Sequence, residues 1–190
     1  IKPSEDYASK IFDVKFNKED KIITNEDLIT NSSDCDGILS SLTEKIDAEV
    51  ISKLSSSIKI ISNFAVGFGN IDIVAAKKKN IIVTNTPDVL TDATAEIAIL
   101  ILLGAARRAK EGIEWTNTKN WKWSADFLMG KQLTGARLGI LGMGRIGRAV
   151  ANIARSLGMI IHYHNRSQLD KNLEKGAIFH NSLESLLSVS

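Results

Sequence analysis

ILGMGRIGRAVANIARSLGMIIHYHNRS, residues Ile140–Ser167, decides the fold. Its first residues finish an apolar run, RLGIL (137–141), and Gly142, Gly144 and Gly147 follow directly as G-x-G-x-x-G before the helix-like RIGRAVANIARSLG. Between strand and helix this spacing has a physical purpose at each glycine. Gly142 permits the tight turn, Gly144 lets backbone approach a pyrophosphate, and Gly147 lets the helix pack close to the strand. The N–H groups of Gly144, Arg145 and Ile146 then face an anion from a helix N-terminus. Gly142–Gly147, with Met143 inside it, is therefore the candidate dinucleotide loop, the alternative being a glycine-rich turn that holds nothing.

The end of the same stretch points to one form of dinucleotide. An NAD site normally carries a carboxylate about twenty residues on, at the end of the second strand, to accept bonds from the adenosine ribose hydroxyls. Here the chain carries Asn165, Arg166 and Ser167. A neutral amide removes the charge that would repel a 2′-phosphate, and a guanidinium beside it offers a planar fork of donors. Ser167 adds a hydroxyl. NADP(H) is the expected cofactor; NAD(H), with Arg166 as a plain surface residue, is the alternative.

Outward from this stretch, short β-branched runs alternate with helix-like segments. FDVKF (12–16), GIL (37–39), IKIIS (58–62) and IIVT (81–84) form one set, and RLGIL, MIIHY (159–163) and AIF (177–179) form a second. Strand alternating with helix predicts parallel sheets covered on both faces, hence an α/β protein of two units. The boundary is expected near residue 88, giving domains 1–88 and 89–190. Between the sets, ATAEIAILILLGAARR is apolar nearly all round and needs covering on several sides. It predicts an interface helix, with Arg107 and Arg108 suiting the dipole at its end. WTNTKNWKW places Trp115, Trp121 and Trp123 together, either as interface anchors or packed on their own domain. Lys77–Lys79 reads as a solvated helix end. The chain opens in a loop and helix and stops after a helix-like stretch, so both ends are expected to be truncated.

Composition excludes several classes. Of 190 residues, 44% are hydrophobic and 24% charged, as in an ordinary folded protein, and a net charge of +2 is too small for a nucleic-acid footprint. The longest uncharged apolar run, Ile97–Ala106, is too short to cross a membrane, and the N-terminus carries no apolar leader. The single cysteine, Cys35, allows no internal disulfide and suits a cytoplasmic location. It reads as a buried strand-edge residue.

ISNFAVGFGNID (61–72) is a strand followed by small residues and glycines. Ligands of open α/β sheets sit beyond the carboxyl ends of strands, and the amides of Ala65, Val66 and Gly67 suit a small carboxylate there, with an ordinary turn as the alternative. SNFAVGFGNIDIVAAKKKNIIVTNTPDVLTDATAEIAILILLGAARR, LTGARLGILGMGRIGRAVA and IHYHNRS, in that order, resemble the D-isomer-specific 2-hydroxyacid dehydrogenases, and within them the glyoxylate and hydroxypyruvate reductases. The resemblance covers nearly the whole chain from Ile58 onward. It implies a flavodoxin-like substrate domain, a Rossmann-type dinucleotide domain, an active site in the cleft and a homodimer formed through the cofactor domain. It also implies that Val66 and Gly67 meet the substrate carboxylate and that Leu90 and Thr94 approach the nicotinamide.

The chemistry so implied is transfer of a hydride from NADPH to the C2 carbonyl of a small 2-oxo acid. In the family a histidine donates the proton, a glutamate orients it and an arginine polarises the carbonyl. By that resemblance these three residues lie beyond Ser190, so the chain holds no catalytic residue and is expected to be inactive alone. His162, His164 and His180 read as structural or surface histidines. Two alternatives stand: an NAD-dependent dehydrogenase of the lactate, phosphoglycerate or formate type, and a non-catalytic family member that senses dinucleotide.

Overall fold

The computed structural model of the chain describes residues 2–18, 21–119 and 123–190. They form two compact units, Ile1–Pro87 and Asp88–Ser190.

Among the described residues, unit 1 runs α1 (Lys2–Ala8), α2 (Asn25–Asn31), β1 (Gly37–Ser40), α3 (Ala48–Lys53), β2 (Ile60–Asn63), α4 (Ile73–Lys78) and β3 (Ile82–Thr84). The strands are parallel in the order β1-β2-β3, with Ile61 in register with Ile38 on one side and Val83 on the other. Two helices start where an aspartate satisfies N–H groups that a helix leaves unpaired. Asp47 accepts from Glu49 and Val50 at 3.1 Å, and Asp72 accepts from Ala75 at 2.8 Å. Val50, Ile51 and Leu54 of this first segment pack with Ile38, Ile61 and Ala76 into the core. Each such large aliphatic side chain contributes about 1.5–3 kcal/mol by leaving water.

Three expectations for unit 1 need correction. FDVKF (12–16) is not a strand: it pairs with no described segment, and a strand is defined by its ladder, however β-prone its residues. Lys79 is not a solvated end of the lysine run. Its Nζ donates to the carbonyls of Ile51 at 2.8 Å and Ser52 at 2.9 Å, and also to Leu54, closing the carboxyl end of α3. Cys35 is only partly buried and precedes β1, its thiol lying 3.7 Å from the Asn31 carbonyl.

Unit 2 runs α5 (Thr91–Ala106), α6 (Ala109–Asn117), β4 (Arg137–Leu141), α7 (Arg145–Ser156), β5 (Ile160–His164), α8 (Lys171–Glu174), β6 (Ile178–His180) and α9 (Leu183–Leu187). Its strands are parallel in the order β4-β5-β6. On the central strand β5, Ile161, His162 and Tyr163 are all buried, the mark of a strand covered on both faces. Gly147, Ala151 and Ala154 recur on one side of α7 and are buried, so a small-residue face lets this helix lie close to the sheet.

Helix α5 packs on α7, with Ile99 in the core shared with Ala151 and Ala154; Ala95 is also buried, while Ile97, Leu100 and Ile101 stay exposed. The arginines after it do not act as a pair of caps. Arg107 is the closing residue of α5, whereas Arg108 takes a left-handed conformation, opens α6 and pairs with Glu111. Trp115 packs edge-on against Phe127 with ring centroids 5.1 Å apart, Trp123 is exposed, and Trp121 lies outside the described residues. None of the helices among the described residues is long and apolar enough to cross a membrane.

Candidate functional site

The turn between β4 and α7 divides its three glycines by task. Gly142 has φ +94°, a left-handed conformation that side chains resist. A Cβ on Gly147 would overlap the carbonyl oxygen of Gly142 and crowd Ile140 at 3.2 Å. A Cβ on Gly144 would meet nothing within 4 Å, so the loop is open on the side where that glycine lies. Helix α7 starts at Gly144 without any side-chain cap, and the N–H groups of Gly144, Arg145 and Ile146 make no hydrogen bond among the described residues. By contrast α3, α4 and α9 are capped by Asp47, Asp72 and Ser182. An open turn with unpaired N–H groups at the positive end of a helix fits a pyrophosphate.

Met143 separates from its neighbours. Its side chain is fully buried in the core of unit 2, and its N–H donates to the side-chain oxygen of Asn165 at 2.7 Å. Asn165 is thus a structural tie as well as the residue standing where a carboxylate was expected. Arg166 and Ser167 follow it in an exposed bend, and Arg166 has no ion pair or hydrogen bond among the described residues. Leu90 is the residue before α5, and its carbonyl accepts from the N–H of Thr94 at 2.9 Å. Asp88, two residues earlier, pairs with Arg145 at 3.0 Å and joins this segment to the glycine loop within unit 2. Both side chains are more than half exposed, so the pair contributes little stability.

In unit 1 the loop after β2 turns its carbonyls inward in succession. The Ala65 carbonyl accepts from Thr86 N–H at 2.9 Å, Val66 from Asn85 Nδ2 at 2.8 Å and Gly67 from Asn63 Nδ2 at 2.8 Å. A trans peptide points its N–H opposite to its carbonyl, and the described chain contains no cis bond. The N–H groups of Val66, Gly67 and Phe68 are therefore directed away from Asn63, Asn85 and Thr86, and they make no hydrogen bond among the described residues. Such a row of unpaired N–H groups suits a carboxylate. Ala65 differs from the expectation: its N–H is committed to the Asn63 carbonyl at 2.8 Å and its side chain is buried. Phe68, whose N–H completes the row, was not legible as a member, because only the carbonyl partners reveal it.

Asn63 is fully buried at the root of this loop. It accepts from Ser40 Oγ at 3.1 Å and also donates to the side chain of Asn70, whose own amide holds the carbonyls of Ser41 and Glu44.

The histidines occupy β5 and β6. His162 Nδ1 and His180 Nε2 lie 2.8 Å apart in a buried pair, and His180 Nδ1 meets Ser185 Oγ at 2.8 Å. Burial, then the neighbouring His180 and Arg137, hold the His162 imidazole below its ordinary pKa. His164 donates from Nδ1 to the His180 carbonyl at 2.7 Å. Among the described residues there is no cluster of three or more side chains able to hold a metal ion.

Comparison with known proteins adds a family to this geometry. The family model for the D-isomer specific 2-hydroxyacid dehydrogenase, catalytic domain, matches residues 2–186. A glyoxylate reductase from Thermococcus kodakarensis is 42% identical over 185 residues, covering 94% of this chain and 55% of the relative. A glycerate dehydrogenase from Hyphomicrobium methylovorum is 41% identical over 186 residues, covering 96% of this chain and 58% of the relative. A crystal structure from Polaromonas sp. JS6 66, described as a D-isomer specific 2-hydroxyacid dehydrogenase, NAD-binding, superposes with a TM-score of 0.88 at 45% identity, covering 98% of this chain and 59% of the other. The chain thus spans a little over half the length of the relatives it matches. Matched along nearly its whole length, and carrying an open glycine turn between a parallel strand and a helix, the chain belongs to the D-isomer specific 2-hydroxyacid dehydrogenase family.

Proposed function

We propose that the intact protein reduces a small 2-oxo acid of the glyoxylate or hydroxypyruvate type, with NADPH as the preferred cofactor. Unit 2 holds the dinucleotide, and unit 1 holds the acid. The N–H groups of Gly144, Arg145 and Ile146 receive the pyrophosphate, Leu90 and Thr94 border the nicotinamide, and Asn165, Arg166 and Ser167 receive the ribose 2′-phosphate. Val66 and Gly67 bind the carboxylate of the substrate through their N–H groups. A reduced nicotinamide bound there would supply a hydride to the C2 carbonyl, and the alkoxide so formed would take its proton from a general acid. No residue of this chain is given the role of proton donor. The protein works as a homodimer joined through the apolar face of α5.

One observation carries the cofactor preference: Arg166 is exposed and unpaired among the described residues, beside an amide where a carboxylate would repel phosphate. A second reading, NAD(H) as the natural cofactor, draws support from the NAD-binding description of the Polaromonas relative. Titrating NADPH and NADH into the intact protein and its Arg166→Ala variant separates the two. A charge-assisted hydrogen bond contributes about 1.5–3 kcal/mol, so NADPH binding should weaken roughly ten- to hundredfold with little change for NADH. A wild type that prefers NADH, or equal weakening of both cofactors, sinks the NADPH reading.

A further inference from the structure

The loop that carries Arg166 is fastened at two points. At one, Asn165 Oδ1 accepts from the Met143 N–H at 2.7 Å. At the other, the hydroxyl of Tyr163 accepts from the Leu169 N–H at 3.0 Å and donates to Glu174 Oε1 at 2.6 Å. Gln168 Nε2 donates to the same carboxylate oxygen at 2.9 Å. Glu174 is anchored in turn through its backbone carbonyl, which accepts from Arg155 of α7 at 2.7 Å. Arg166 and Ser167 lie between the two fastenings.

Polar groups placed this deep are costly unless each finds a partner. Tyr163 is fully buried, and Glu174 is nearly so. The hydrogen bonds from Tyr163 and Gln168 hold the Glu174 carboxyl below the usual carboxylate range, so it is ionised at neutral pH and acts as an acceptor. Burial pushes the Tyr163 hydroxyl up, which keeps its proton available to donate. The ring itself packs against Phe179, centroids 5.4 Å apart, and would do so equally well as phenylalanine. The hydroxyl is therefore separable from the packing, and what it adds is control of the backbone at Leu169.

We propose that Tyr163 and Glu174 are positioning residues for cofactor selectivity, holding the Arg166–Ser167 bend where a 2′-phosphate is met. The inference rests on the reading that Arg166 meets that phosphate. Recognition of phosphate by guanidinium depends on orientation, and a loop that must be ordered on binding loses affinity for the ligand that needs it. NADH has no phosphate for Arg166 to meet, and the hydrogen bond between Asn165 and Met143 does not involve the Tyr163 hydroxyl.

The experiment measures dissociation constants for NADPH and NADH, by fluorescence of the reduced nicotinamide, on the intact protein and its Tyr163→Phe, Glu174→Gln, Gln168→Ala and Arg166→Ala variants. Loss of a hydrogen bond at a buried junction predicts that Tyr163→Phe weakens NADPH about five- to tenfold and NADH less than about twofold. Glu174→Ala, measured alongside, removes the acceptor of both hydrogen bonds and should weaken NADPH selectively as Tyr163→Phe does, a wild-type ratio overturning the role of Glu174. Glu174→Gln, by contrast, retains an acceptor oxygen and should stay within about twofold of the wild-type ratio. Gln168→Ala, at an exposed position, should shift the ratio in the same direction by less, and it reports on the network even if Tyr163→Phe folds poorly. A Tyr163→Phe protein that loses both cofactors equally, or keeps the wild-type ratio, overturns the inference while Arg166→Ala still shows its selective loss. If Arg166→Ala leaves NADPH binding unchanged, the parent reading and this inference fall together.

Discussion

The side-chain oxygen of Asn165 accepts the backbone N–H of Met143 at 2.7 Å, tying the end of β5 to the turn that leaves β4. The same residue therefore shapes the glycine turn and sets the charge beside Arg166. Asn165→Asp separates these two tasks, because a carboxylate accepts the Met143 bond while adding negative charge where the phosphate would lie. NADPH affinity should fall about tenfold, the equivalent of 1.4 kcal/mol, and NADH should gain an acceptor for its ribose hydroxyls. Asn165→Ala should weaken both cofactors. Paired titrations check this, and equal losses in Asn165→Asp would count against a charge effect.

Gly144 and Gly147 make opposite predictions although both belong to one motif. Gly147→Ala drives a methyl into the Gly142 carbonyl, and overpacking of this kind costs about 1–3 kcal/mol. A loss of 1 kcal/mol lowers Tm by roughly 2–8 °C in domains of this size range, so thermal melting should show the effect without any ligand. Gly144→Ala meets no atom and should leave Tm nearly unchanged while weakening NADPH and NADH alike. A stable Gly144→Ala protein with full cofactor affinity would remove the glycine turn from the binding site.

Much of this was legible in the sequence because it depends on neighbours along the chain. RLGIL, the glycines after it and the small-residue face of α7 are local patterns, and β4, its turn and α7 follow them. FDVKF misled for the complementary reason: β-prone residues do not become a strand without a ladder to join. The tie from Asn165 to Met143, the lock of Asn85 on Val66 and the pairing of His162 with His180 join residues 18 to 22 positions apart. Such contacts are set by strand register, so residue type alone does not announce them. Lys79 belongs with these, a surface lysine by its sequence and a cap for another helix by its position.

Asn85 is expected to act on the substrate and not on the cofactor. Its amide holds the Val66 carbonyl at 2.8 Å and so directs the Gly67 N–H. Asn85→Ala should raise KM for the 2-oxo acid about three- to tenfold, the value of one ordinary hydrogen bond, with NADPH affinity unchanged. Steady-state kinetics on the intact protein read the first quantity, and direct titration reads the second. A variant with an unaltered KM would place the carboxylate elsewhere.

The buried imidazole pair makes unit 2 sensitive to acid. His162 and His180 face each other at 2.8 Å, so one nitrogen must present a lone pair, and both rings cannot be cations in this arrangement. Arg137 adds positive charge nearby, and burial is the largest cause of the lowered His162 pKa. With the folded pKa depressed, the unfolded chain takes up the proton first. The contribution is therefore present above the unfolded value of about 6.5 and is lost as pH falls from there towards the folded pKa. Tm should decline across that window, and His162→Phe, although less stable overall, should show a shallower decline. Parallel slopes for the two proteins would assign the acid sensitivity to other groups.

The exposed face of α5 gives the last prediction. Ile97, Leu100 and Ile101, spaced to share one side of the helix, are 55%, 64% and 65% exposed. The opposite side is already satisfied, with Ala95 and Ile99 buried. A contiguous apolar stripe of this kind on a stable helix needs a cover, and a second copy of the chain supplies an identical stripe about a twofold axis. Ile101→Glu would bring two carboxylates into such an interface without disturbing the side that packs on α7. Light scattering at micromolar concentration should show the wild type as a dimer and Ile101→Glu as a monomer with its helical content retained. A monomeric wild type, or a variant that remains dimeric, would mean that α5 is covered by something other than its own copy.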